Sequence, residues 1–106
     1  MATGKLGAED LAAATPTVIY TVPDGQFTVA SINICNRNTS NVLIKIAIAD
    51  ADTPAAGEYI EFDAEILPNG VLERTGIVMN ADQRVVVEAN AINVSANAFG
   101  IETSVS

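Results

Sequence analysis

Asp50, Asp52, Glu58, Glu61, Asp63 and Glu65 fall within one sixteen-residue stretch that contains no lysine or arginine. Carboxylates this dense could do two kinds of chemistry. Two of them facing each other across a groove could cleave a glycosidic bond. Alternatively, Asp50 and Asp52 share a loop, and hard oxygen ligands are what Ca²⁺ requires. Neither pattern is complete. Sugar grooves are lined by aromatic rings, and the chain has two Tyr, three Phe and no Trp. The aspartate spacing is not that of an EF-hand. A solvated acidic face that keeps the molecule dispersed uses the same residues and is the favoured reading, with Asp50 and Asp52 kept as candidate calcium ligands.

Other reactive constellations are missing. The chain has no histidine, which removes the commonest general base and every Ser-His-Asp or Cys-His arrangement. Cys35 is the single cysteine, so neither an internal disulfide nor a structural zinc site follows, and a half-buried apolar role is expected for it. No glycine-rich phosphate loop is present. The expectation is a protein without enzymatic activity or cofactor. Thirteen acidic against five basic residues give a net charge of −8, so binding to nucleic acid or to an anionic membrane surface is not expected. No apolar run has the length of a membrane span or the character of a secretory signal. Asn38-Thr39-Ser40 and Asn93-Val94-Ser95 match glycosylation acceptors, and without a secretion signal they are read as chance.

The elements that would position these residues are strands. Val42, Ile44, Ile46 and Ile48 fall on every second position, one face of a strand, and Phe27–Cys35 forms a second apolar run before them. Asn36–Asn41, with Arg37 inside it, reads as an exposed polar turn, making the two runs a hairpin or two strands of opposed sheets. Val18–Val22 is a further strand, stopped by Pro23-Asp24-Gly25-Gln26. Tyr59–Leu67 alternates, placing Ile60, Phe62, Ala64 and Ile66 on a buried face and Glu61, Asp63 and Glu65 on a wet one. Pro68-Asn69-Gly70 predicts a tight hairpin turn into Val71–Met79. Val85-Val86-Val87 predicts a strand covered on both faces or at a subunit contact, and Ile92–Thr103 closes the chain.

Seven strands at spacings of about ten residues predict an all-β sandwich, jelly-roll or immunoglobulin-like, over residues 17–106. Residues 1–16 are small and Ala-rich, and predict a short helix after Asp10, an extended arm or a loosely held terminus.

The chain resembles small structural proteins of tailed-phage virions, in particular phages of cyanobacteria. The likeness is carried by Gly4-Lys5-Leu6-Gly7-Ala8-Glu9-Asp10-Leu11-Ala12-Ala13-Ala14, Tyr20-Thr21-Val22-Pro23, Ile32-Asn33-Ile34-Cys35-Asn36-Arg37-Asn38, Glu58-Tyr59-Ile60-Glu61 and Gly70–Val78. None of these strings is catalytic. The resemblance implies a β-sandwich building block of a virus particle, made in the host cytoplasm, and leaves its position in the particle open. Acidity favours the outside of a capsid, away from packaged DNA. The expected role is therefore capsid decoration, with the major capsid protein or neck and tail proteins as partners and self-association into a homo-oligomer. Leu6, Leu11, Arg37, Val85, Val86 and Val87 are the candidate contact residues. The alternative is a tail, neck or fibre module that binds a host-surface glycan or protein.

Overall fold

A computed structural model describes residues 3–105 of the chain. It contains eight strands: β1 (Thr3–Asp10), β2 (Thr17–Thr21), β3 (Gln26–Asn36), β4 (Val42–Ala49), β5 (Tyr59–Ile66), β6 (Val71–Met79), β7 (Arg84–Ala89) and β8 (Val94–Ser104). They form two four-stranded antiparallel sheets, A in the order β1-β8-β3-β6 and B in the order β2-β7-β4-β5. The pairs β4–β5, β3–β6, β2–β7 and β1–β8 are nested. The chain is thus one long hairpin wound across two sheets, the order of a jelly roll rather than of an immunoglobulin domain.

Alternation explains the packing. Ile32 and Ile34 of β3, Val42, Ile44 and Ile46 of β4, Val85 and Val87 of β7, and Val94, Ala96 and Ala98 of β8 are all buried between the sheets. Aliphatic β-branched side chains fill this layer with little rotamer entropy to lose. Each sheet contributes one apolar face, and β3 and β4 lie in different sheets. Of the two sequence-level alternatives, opposed sheets is the observed one.

Three expectations need correction. First, no helix follows Asp10 and residues 3–10 are not a loose arm: β1 pairs with β8 along its length, and Leu11 closes the core at 2% exposure. Its composition hid the strand, because an edge strand with an exposed outer face needs no apolar alternation. Gly7 is required here, since a Cβ would stand 2.1 Å from the carbonyl oxygen of Ile19 where the edges of β1 and β2 meet. Met1 and Ala2 of the expected arm lie outside the described residues.

Second, Phe62 is not in the core. Asp63 adopts φ +55°, and β5 slips against β4 between Ile44 and Ile46. That β-bulge shifts the alternation by one residue and turns Phe62 out to 62% exposure. Phe62 then rests edge-on against Tyr59, ring centres 5.1 Å apart, with the Lys45 ammonium 4.7 Å from its ring centre.

Third, Pro68-Asn69-Gly70 is a turn but not a hairpin. Asn69 takes the left-handed conformation (φ +57°) and Gly70 N–H donates to Leu67 O at 2.9 Å. However, β5 belongs to sheet B and β6 to sheet A, so this turn carries the chain across the sandwich.

Candidate interaction surfaces

The strand directions gather the loops at two ends. Residues 11–16, 37–41, 67–70 and 90–93 cluster at one, and residues 22–25, 50–58 and 80–83 at the other. Their chemistry differs sharply.

The second end is acidic and collects Asp24, Asp50, Asp52, Glu58 and Asp82. Arg84, at the start of β7, holds part of it together, reaching Asp52 at 2.7 Å and Asp82 at 3.0 Å. Those carboxylates, the hydrogen bond to Asp52 foremost, hold the guanidinium above its ordinary value. Asp50 accepts from Gln83 Nε2 at 3.4 Å. Glu58 caps its own loop by accepting from the backbone N–H of Ala55 at 2.8 Å and of Asp50 at 3.1 Å. The two candidate calcium ligands therefore serve as local partners of Arg84 and Gln83. Among the described residues no three Asp, Glu or Cys side chains converge as a metal site would require. Glu61 is bridged to Arg74 and Asp63 to Lys45. Arg74 starts in sheet A and Glu61 in sheet B, so their ion pair spans the open side of the sandwich between the β5 and β6 edges. A shallow depression on sheet B, lined by Pro16, Lys45, Pro54, Tyr59, Val86 and Glu88, is too slight to enclose a ligand.

The first end is an amide end. Asn36, the last residue of β3, is fully buried. Its Nδ2 donates to Ser40 O at 2.9 Å and to Ile66 O and Leu67 O, both at 3.1 Å. Its Oδ1 accepts from Asn38 N–H at 2.9 Å. One side chain thus pins the β3–β4 loop to the β5–β6 turn, and the expectation of an exposed turn residue is corrected. The two sequon asparagines meet here: Asn93 Nδ2 donates to Asn38 Oδ1 at 3.4 Å, while Asn38 Nδ2 donates to Ile92 O at 2.8 Å. Arg37 is exposed and bridged to Asp10. Around these amides Leu67 and Ile92 project from the loops, 63% and 61% exposed.

The outer face of sheet A is the second surface. Cross-strand register builds it row by row: Thr3, Ile101, Val29 and Val78, then Lys5, Phe99 and Ser31, then Ala8, Asn97, Asn33 and Glu73, and finally Asp10, Ser95, Cys35 and Val71. Val29, Val78, Phe99 and Ile101 are 41%, 66%, 39% and 54% exposed. Four large apolar side chains in contiguous rows form a patch of the kind that monomeric proteins rarely leave uncovered.

The candidate contact residues fare differently. Leu11, Val85 and Val87 are buried in the chain's own core, and Val86 is buried on the outer side of sheet B against Ala47, Ala49, Val18 and Tyr59. Val85–Val87 is covered on both faces by its own chain, and offers a neighbour no surface. Leu6 is half-buried against the core. Arg37 is the one of the six that lies in the open. The sheet A patch has no signal in any one segment, because its members sit in three strands, β3, β6 and β8, and only register brings them together.

Inside the sandwich lies a polar trio with no local signal in the sequence. Tyr20 Oη is 2.8 Å from Thr28 Oγ1 and donates to Glu102 Oε2 at 2.5 Å. Glu102 is 8% exposed while its neighbour Ile101 faces solvent. Burial, with the hydrogen bond to Glu102 adding, pushes the Tyr20 phenol up to about 12.

No family model, curated protein or solved structure matches the chain.

Proposed function

We propose that this chain is a non-enzymatic structural protein of a virion, a capsid decoration protein that attaches to the outside of a phage head by its amide end. What supports the reading is the division of charge and apolar surface along the strand axis. The acidic end carries Asp24, Asp50, Asp52 and Asp82, whereas the opposite end presents amides, the bridged Asp10–Arg37 pair and the apolar tips Leu67 and Ile92. Neutral, hydrogen-bonding loops with two apolar anchors suit a protein contact. The acidic end suits exposure to solvent, and would be repelled by packaged DNA. The partner is then the major capsid protein, with a neck or tail protein as the other shell component of matching chemistry.

Co-sedimentation with particles stripped of this chain tests the reading. Leu67→Asp and Ile92→Asp should abolish capture while leaving the thermal transition in place. Capture that survives both substitutions together would overturn it.

A second reading, a tail or fibre module for a host-surface glycan, draws on one feature. Asn33 and Asn97 lie opposite each other on sheet A, one row from Phe99, and paired amides beside an exposed ring can hydrogen-bond and stack a sugar. A glycan-array signal removed by Asn33→Ala would favour it.

A further inference from the structure

We infer that the outer face of sheet A is the contact between two copies of this chain, related by a two-fold axis that runs along the strands. The inference deepens the shell-attachment reading, and only the orientation of the pair on a particle rests on that reading.

Four observations commit the face to a second copy. The first is its apolar centre, the patch built from Val29, Val78, Phe99 and Ile101. The second is its charge. Arg37, Lys45, Arg74 and Arg84 are each bridged to a carboxylate of the same chain. Among the described residues Lys5 is in no such bridge, and Glu73 is in none either. Lys5 stands on β1 and Glu73 on β6, the two edges of this sheet, in adjacent rows.

The third is symmetry. A two-fold axis lying in the interface and parallel to the strands exchanges left and right across the sheet but keeps position along it. It lays β1 of one copy over β6 of the other. Lys5 then comes within one row of the partner copy's acidic edge residue, a displacement of about 7 Å along the strand that two long side chains can span. The same operation gives the reciprocal pair. An axis perpendicular to the strands would lay β1 over β1 and leave both charges without a counterpart. Charge complementarity therefore selects between the two ways of stacking the face on itself.

The fourth is size. Four strands at about 4.8 Å spacing and roughly 30 Å of strand give a footprint of roughly 600 Å² per copy. Two such footprints total roughly 1,200 Å², the lower limit of a specific, stable interface. A weak, concentration-dependent dimer follows, not a permanent one.

The geometry has a consequence for assembly. Because the axis runs along the strands, both amide ends point the same way and both acidic ends point the other. A dimer of this kind offers a shell two equivalent attachment ends at once, which raises avidity without any new contact.

The test is the mass of the full chain in solution from micromolar to several hundred micromolar, by analytical ultracentrifugation. The expected result is reversible association from 11.0 kDa to twice that mass. Val78→Asp should raise the dissociation constant at least tenfold, and Lys5→Glu or Glu73→Lys alone about tenfold, since each places two like-charge contacts in the dimer. The double exchange Lys5→Glu with Glu73→Lys should recover dimerisation. A short bis-maleimide, reacting only at Cys35 on this face, should trap the wild-type dimer and not the Val78→Asp variant. All of these positions are exposed or half-buried, so circular dichroism should show each variant folded. A strict monomer at the highest concentration, a trimer, a dimer indifferent to Val78→Asp, or no recovery in the double exchange would each overturn the inference. Particle capture that persists when dimerisation fails would leave the attachment reading standing, and a dimer that forms without particle capture would do the reverse.

Discussion

Asn36→Ala should be among the most damaging single changes to this protein, although the residue sits in a run that reads as an exposed turn. The side chain makes four hydrogen bonds from a fully buried position. After truncation the carbonyls of Ser40 and Leu67, both exposed residues, can turn to water, at about 1 kcal/mol each. The Ile66 carbonyl and the Asn38 N–H are more enclosed, and stranding them costs about 1–3 kcal/mol apiece. The sum is about 4–8 kcal/mol, a large part of the roughly 5–15 kcal/mol by which a domain of this size is stable. Urea denaturation followed by circular dichroism should show an unchanged slope and a midpoint lowered by roughly 2–4 M, with Tm down by roughly 20–40 °C. Asn41→Ala is the matched control. Its Nδ2 donates only to the exposed Glu65 at 2.9 Å, and it should cost under about 1 kcal/mol. A loss below about 1 kcal/mol for Asn36→Ala, or an equal loss for both, would refute the view that this amide is the buried pin of the loop end.

Three further outcomes are expected. The Tyr20 phenol has a folded-state pKa near 12 against 10.0 unfolded. The folded state therefore favours the protonated form, and its stabilisation is intact below pH 10 and lost as pH rises from 10 to 12. Denaturation midpoints should fall over that window by the equivalent of about 2–3 kcal/mol, and Tyr20→Phe should remove this component of the slope. Gly100→Ala should destabilise by at least about 1–3 kcal/mol, because its Cβ would meet Val29 O at 2.1 Å, whereas Gly57→Ala, with nothing within 4 Å, should be close to neutral; equal effects by calorimetry would contradict the packing. Millimolar Ca²⁺ should leave Tm unmoved, since Asp52 is engaged by Arg84 and Asp50 by Gln83; a calcium-dependent rise would reopen the acidic loop as a metal site.

Much of the fold is legible in the chain. Val71–Met79 appears with the bounds read from its pattern, and Val42, Ile44 and Ile46 point inward as their spacing requires. These segments combine strict alternation with flanking turn residues, so local signals agree with the tertiary structure. The failures share a cause. Edge strand β1 needs no apolar pattern, the bulge at Asp63 resets the period, and the burial of Asn36 and Glu102 depends on partners far along the chain. Deleting residues 1–14 would consequently strip a strand from β8 and remove the Leu11 plug, so that change reports on folding before it reports on attachment. The sheet A face is likewise invisible in any one segment, because register across four strands creates it.

Under the proposed capsid role, the central claim is tested most directly by an electron cryomicroscopy map of the virion to which that role assigns this chain. The expected density is a pair of eight-stranded sandwiches standing on the outer surface of the head, loops 37–41, 67–70 and 90–93 against the shell and residues 50–58 facing solvent. Density on the DNA side of the shell, acidic loops buried in the contact, or purified particles that lack the chain altogether would contradict it.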